Sequence, residues 1–267
     1  MKTYREHYEV CRRFYNGPII KDLKYRNLYD LTVDASFLEN RPEFAKLINE
    51  ICPIINDRFD KRRDVVEKEM AIYLNNWREI EQLEKITEII TSEIEQRVFH
   101  SNCHVEFLHI YENKKNVKPL SSWLWHYDDC PQEFVKFIVY LNEVNENNGC
   151  FSYLEDENGN ANVIQSYRTS PYLRSFPQIY PKSRIPKQVI KNKLENGWQI
   201  KNLIGQQGTN ALLSPNIYHR ATVPNNFNNP RQCMFFYIRP SIKKRSVRLA
   251  ETFSVLPEKN VKRYDLD

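Results

Sequence analysis

Three side chains in this sequence have the types and spacing that suit a metal ion. The segment WHYDD at 125–129 carries His126 and Asp128 two positions apart. In an extended chain, residues i and i+2 point to one face. An imidazole nitrogen and a carboxylate oxygen can therefore aim at one point while Tyr127 faces away. An HxD triplet alone is weak, because such triplets are common by chance. A third ligand from a distant strand changes its weight, and NIYHRA at 216–221 places His219 at the start of a β-rich run. Two imidazoles and one carboxylate on a half-shell leave three coordination positions open, a ligand set suited to Fe(II) that must also receive a chelating cosubstrate and O2. If that cosubstrate is 2-oxoglutarate, its far carboxylate needs a buried cation with a planar fork. Arg231 opens the run RQCMFFYI just past an Asn/Pro loop, and a strand–loop–strand hairpin is expected to return it beside His219. The competing reading is a surface arginine at a strand start. Arg220 neighbours the histidine and should point away from the metal face, and Arg239 lies at the far end of its strand. His100, Cys103 and His104 in HSNCH look metal-like too, but nothing downstream completes a Cys/His set. They read as ordinary polar residues at an element junction.

The elements that must hold these residues differ between the two parts of the chain. The first forty residues are mixed, with NGP at 16–18 reading as a turn. From Pro42 the pattern turns helical, and Pro53 is expected to interrupt it. Between Lys61 and Phe99 there is almost no turn chemistry and much Glu, Lys, Arg, Ile and Leu. Ile80, Leu83, Ile86, Ile90 and Ile94 form a helical stripe, so one or two long amphipathic helices are expected there. After about residue 102 come short β-rich runs: 103–112, 122–126, 134–141, 150–154, 210–215 and 232–240. Such runs without helices between them predict an antiparallel sandwich or barrel. The expected architecture is mainly β, a jelly roll over 102–240 covered by a helical layer over 1–101, with a tail over 241–267.

Composition narrows the alternatives. The chain has 267 residues and a net charge of +5, with 13% aromatic residues, enough for a sizeable core and against disorder as the main state. Its longest apolar stretch, FVKFIVYL, falls far short of the roughly 20 residues of a membrane helix. MKTYREHYEV shows no secretory pattern, and six scattered cysteines without a CxxC fit reduced thiols, so a cytoplasmic location is expected. With six glycines, no pair closer than Gly205 and Gly208, neither a P-loop nor a dinucleotide fingerprint can be built.

WHYDD, FVKFIVYLNEV, ENNGCF, GTNALLSPNIYHRA and the following arginine with MFFYIRPS resemble the Fe(II)/2-oxoglutarate-dependent dioxygenases, nearest the phytanoyl-CoA-hydroxylase-like branch. The resemblance covers about 104–240 and implies a double-stranded β-helix. It implies that His126, Asp128 and His219 bind Fe(II) and act as the catalytic centre, that Arg231 binds 2-oxoglutarate, and that O2 is consumed with release of succinate and CO2. The sequence departs from that branch at Ala221, where a small hydroxyl residue is common, and at YLEDENGNA, so the substrate is not implied. Tyr111 and Trp123 are pocket-wall candidates, Tyr111 near the cosubstrate, though core aromatics are an equal reading.

Between Glu157 and Glu195 there is no acidic residue, while Arg168, Arg174, Lys182, Arg184, Lys187, Lys191 and Lys193 supply seven positive charges. Tyr167, Tyr172, Phe176 and Tyr180 are interleaved with them. A basic, aromatic lid over 158–194 is expected to attract a small anionic substrate, with a solvated surface loop as the plain alternative. Nucleic acid is a weaker reading, because Arg231 and Arg239 do not match the two-arginine spacing of demethylases acting on alkylated bases. Two other function classes remain at this stage: a cupin-like metal-dependent isomerase or hydrolase without 2-oxoglutarate, and a non-catalytic jelly-roll binding module.

Overall fold

The structure, a computed structural model, describes residues 4–21, 24–25, 27–68, 70–114, 121–164, 179–225 and 228–243. Four helices and ten strands follow one another as α1 (Tyr4–Arg13), β1 (Val33–Ala35), α2 (Pro42–Lys61), β2 (Val65–Glu67), β3 (Ala71–Leu74), α3 (Gln82–Ile94), β4 (Cys103–Asn113), β5 (Val135–Tyr140), β6 (Phe151–Glu155), α4 (Lys187–Glu195), β7 (Gln199–Leu203), β8 (Asn210–Leu213), β9 (His219–Ala221) and β10 (Gln232–Pro240). The strands form a seven-stranded sheet in the order β1-β8-β5-β10-β4-β3-β2 and a three-stranded sheet in the order β7-β6-β9. All named pairings are antiparallel. The chain is thus mainly β, a jelly roll of two facing sheets with helices on one side.

Strand alternation sorts the large sheet into two faces. Leu108 and Ile110 of β4, Val135, Phe137 and Val139 of β5, and Met234, Phe236 and Ile238 of β10 join one core with α2 and α3. The helical stripe supplies the other half: Leu83, Ile86, Ile90 and Ile94 are buried, the last three completely. Truncating one of these isoleucines to Ala should cost about 2–5 kcal/mol. The opposite parity faces the small sheet, and it carries His109 and Tyr111 from β4, Lys136 from β5, and Phe235 and Tyr237 from β10.

Four expectations about elements need correction. Pro53 does not interrupt the helix; α2 runs through it. Phe44, Leu47, Ile48 and Ile51 before the proline and Ile55 and Phe59 after it bury on one surface, which offsets the roughly 3 kcal/mol a mid-helix proline costs. The stretch after Lys61 is not helical throughout, since β2 and β3 form a hairpin there. Arg62 ends α2 in the left-handed region at φ 52, and β3 pairs Ala71 with Asn113 on β4, so edge pairing overrides helix propensity. The layer over 1–101 is therefore not wholly helical, contributing β1, β2 and β3 to the large sheet. Finally, 122–126 is not a strand. Ser121–Trp123 is a 3-10 turn, Leu124 N donates to Ser121 O, and only His126 enters a ladder.

Candidate metal and cosubstrate site

The HxD segment lies along the edge of the small sheet. His126 and His219 exchange both backbone hydrogen bonds at 2.9 Å, and Asp128 N donates to Pro215 O at 3.0 Å. On its other side the segment pairs His126 with Arg184, Tyr127 N donating to Ser183 O and Ile185 N to Trp125 O. Extended geometry then does what i, i+2 spacing predicts. Tyr127 is buried in a separate cluster with Leu154 and Tyr218, while His126 and Asp128 turn to the facing sheet. Asp129, in the left-handed region at φ 56, bends the chain away directly after the carboxylate. Asn216 fixes that bend by accepting from Cys130 N at 3.0 Å and donating to Cys130 O at 2.6 Å.

His126, Asp128 and His219 bring one ligand atom each to within 4.8 Å of one another. Asp128 Oδ1 lies 3.6 Å from His126 Nε2 and 3.4 Å from His219 Nε2. Each imidazole is oriented by the carbonyl two residues before it: His126 Nδ1 donates to Leu124 O at 2.7 Å, and His219 Nδ1 to Ile217 O at 2.9 Å. A carbonyl only accepts, so both Nδ1 atoms carry a proton, and Nε2 is the atom of each ring left to offer a lone pair to a metal. His219 Nε2 is buried without a hydrogen-bond partner. Burial, and then the neighbouring His219, push His126 well below the usual histidine range, which keeps its ring neutral. Burial alone would raise the Asp128 carboxyl; Lys136, His219 and His126 more than offset it and hold it well below the usual carboxylate range. The donor set fits a divalent transition metal with an open half-shell.

Arg231 lies in the same cavity of about 150 Å³ as the triad. It is fully buried, with Nη2 donating to Tyr111 Oη at 2.8 Å and to Asn113 Oδ1 at 3.4 Å. Its Nε and Nη1 have no partner, and no carboxylate pairs with it among the described residues. A buried guanidinium with two free N–H groups beside a cavity is a receptor for an anion. The route to this position differs from expectation. Arg231 and His219 are not joined by a hairpin within one sheet, because β9 belongs to the small sheet and β10 to the large one, so the two residues face each other across the cavity.

The remaining candidates sort cleanly. Tyr111 lines the cavity and holds Arg231, whereas Trp123 is buried in the inter-sheet core. Arg220 stacks over Trp125 at 4.7 Å, away from the ligands, and Arg239 pairs with Glu106 at 3.0 Å. His104 also pairs with Glu106, and among the described residues His100, Cys103 and His104 form no ligand cluster. The six cysteines are buried and form no disulfide. Of the basic segment, Arg168, Arg174, Tyr167, Tyr172 and Phe176 lie outside the described residues. Lys187, Lys191 and Lys193 stand on α4, and Lys193 caps the Trp198 ring at 3.5 Å. Arg184, paired opposite His126, shares its face.

Lys136, Tyr237 and His109 are among the cavity residues that the sequence did not single out. Lys136 Nζ donates to Asp128 Oδ2 at 2.8 Å, and Tyr237 Oη donates to the same oxygen at 2.9 Å. His109 stacks near Phe107 and Tyr73, and burial, then Lys136, pull it down to about 4. One signal was available for Lys136, the only charge in the otherwise apolar run FVKFIVYL. A larger recess of about 290 Å³, lined by Arg5, Tyr29, Gln132 and Phe134, contains no triad residue. Among the described residues, no helix is long and apolar enough to cross a membrane.

No protein-family model matches the chain, and no curated protein matches it. Solved structures do. EctD from S. alaskensis, in its apoform, superposes with a TM-score of 0.54 at 14% identity, covering 80% of this chain and 75% of that one. The epimerase SnoN, in complex with Fe3+, alpha ketoglutarate and nogalamycin RO, superposes with a TM-score of 0.52 at 11% identity, covering 97% of this chain and 93% of that one. At these identities the likeness is one of fold, and the fold of this chain is the jelly roll on which those proteins are built.

Proposed function

We propose that the protein is an Fe(II)- and 2-oxoglutarate-dependent oxygenase acting on a small anionic molecule. One observation carries this reading: three ligand atoms share a 150 Å³ cavity with a buried arginine that lacks a counter-ion. A metal-dependent isomerase or hydrolase that uses no 2-oxoglutarate has no need of that arginine, and a binding module has no need of the triad. SnoN, which has this fold, was solved with Fe3+ and alpha ketoglutarate, and that supports the same pair of groups here.

In this reading His126 Nε2, Asp128 Oδ1 and His219 Nε2 hold the metal, and Arg231 Nε and Nη1 take the far carboxylate of 2-oxoglutarate. Fe(II) with its cosubstrate supplies the oxidising power from O2, with succinate and CO2 as coproducts. The chain's own work is placement. Leu124 O and Ile217 O fix the imidazoles, Tyr111 fixes the guanidinium fork, and Phe151 and Phe235 give the cavity apolar walls. The reaction we assign is hydroxylation or another oxidation of the substrate. Arg184 supports the anionic substrate: it shares the face of His126, and no carboxylate lies within ion-pair distance of it among the described residues. His109, neutral and without a hydrogen-bond partner among the described residues, offers the substrate a polar contact inside an aromatic wall.

The test is conversion of 2-oxoglutarate to succinate by the Fe(II)-loaded protein, measured first without substrate and then across a panel of small carboxylates and phosphates. Metal-dependent succinate formation, stimulated by an anionic compound, is expected. Metal binding without any succinate would move the protein to the isomerase or hydrolase class.

A further inference from the structure

Every residue of β5 is buried, and one of them is a lysine. Lys136 stands on the inner parity of the strand with Ile138 and Tyr140. Its ammonium sits among aromatic rings, 4.7 Å from the centroid of Phe235 and 5.1 Å from that of Tyr237. From there it reaches Asp128 Oδ2 at 2.8 Å, and Tyr237 Oη donates to that same oxygen at 2.9 Å. The two oxygens of Asp128 are thereby divided. Oδ1 faces His126 and His219, while Oδ2 is saturated by a cation and a phenol.

We propose that Lys136, assisted by Tyr237, is a positioning residue that keeps Asp128 a one-oxygen metal ligand and so preserves the open half-shell for the cosubstrate. This rests on the metal-site reading above. A carboxylate left to itself can bind a cation through one oxygen or both. Binding through both would occupy one of the three positions that a keto acid and O2 require. A charge-assisted hydrogen bond to Oδ2 prevents that rotation. It also has a second effect of opposite sign. An ammonium one carboxylate's length from the metal repels it, and it competes for Asp128 when the metal is absent. Lys136 therefore weakens binding of the bare metal while favouring the dianionic chelate. A lysine that merely filled space or stiffened the strand would, on removal, weaken both.

Isothermal titration of Mn(II), followed by 2-oxoglutarate into the Mn(II)-loaded protein, separates these cases. For Lys136→Met we expect Mn(II) to bind about tenfold tighter, because a like charge near the metal is removed, and 2-oxoglutarate to bind about tenfold weaker. Lys136→Arg, which retains the charge, should restore wild-type values. The visible spectrum of the Co(II)-loaded protein should change in Lys136→Met, reporting an altered coordination shell. If Lys136→Met does not fold, Tyr237→Phe keeps the ring and should move both affinities in the same directions by a smaller factor. Mn(II) affinity unchanged or weakened in the folded lysine variant, or in Tyr237→Phe where that alone folds, overturns the clamp. Failure of the wild-type protein to bind Mn(II) overturns instead the metal-site reading on which it rests.

Discussion

Replacing Arg231 by Met should separate folding from cosubstrate binding. The side chain is fully buried, two of its three guanidinium nitrogens have no partner, and its remaining bonds go to the neutral groups Tyr111 Oη and Asn113 Oδ1. Methionine retains much of the length and removes the charge. In the ligand-bound state the change leaves a carboxylate buried without its partner, a loss of about 2–5 kcal/mol. At 1.4 kcal/mol per decade this is about 30- to 4,000-fold in the dissociation constant of 2-oxoglutarate. In the ligand-free state the balance is different. Losing two neutral hydrogen bonds costs about 1–3 kcal/mol, whereas removing an uncompensated buried charge recovers desolvation of several kcal/mol. The variant without ligand should therefore melt no lower than the wild type, yet gain far less stability when Mn(II) and 2-oxoglutarate are added. Thermal unfolding with and without both ligands reads the two effects in one experiment. A variant that binds 2-oxoglutarate as the wild type does refutes the assignment of Arg231. A large drop in ligand-free stability refutes the reading of it as an anion receptor left without its counter-charge.

Asp128→Ala should abolish metal-dependent turnover and also cost about 3–5 kcal/mol of stability, because it strands Lys136 as a buried cation; denaturant titration of Asp128→Ala, Lys136→Met and the double variant should show strong coupling, the double variant recovering much of the loss. His109 refuses protons in the folded state until about pH 4, while an unfolded histidine takes them near 6.5. The contribution is fully present above pH 6.5 and is lost as pH falls towards 4, on the order of 3 kcal/mol at full effect; stability measured across that window should slope less in His109→Phe. Arg184→Gln should raise the KM of the anionic substrate and flatten its dependence on salt, while 2-oxoglutarate, deep on Arg231, shows little change; an unaltered substrate KM would remove Arg184 from substrate binding.

Much of the site was readable because it depends on strand alternation and ligand chemistry, both local. His126 and Asp128 are two apart in an extended segment, and the structure aims them at one cavity with His219, as period two requires. Arg231 is singled out by asking what a dicarboxylate needs, and it does line the cavity, although the connection that delivers it crosses between sheets. What was not readable depends on pairing partners far along the chain. Residues 65–74 carry helix-forming Glu and Lys, yet they add to the edge of β4, a partner some forty residues away. Pro53 reads as a break until the buried faces on both sides of it are seen to share one core. Lys136 was passed over because its strand is apolar on both faces, which hides the alternation. Only the register of β5 against β10, Lys136 opposite Tyr237, shows that the lysine points inward.

The central claim is that one cavity binds a divalent metal and 2-oxoglutarate together, and calorimetric titration of 2-oxoglutarate into the protein with and without Mn(II) tests it most directly. The triad and Arg231 predict one equivalent of 2-oxoglutarate bound when Mn(II) is present, with binding strongly weakened when Mn(II) is omitted or His219 is replaced by Ala. Equal binding with and without metal, or no binding under either condition, would contradict the account.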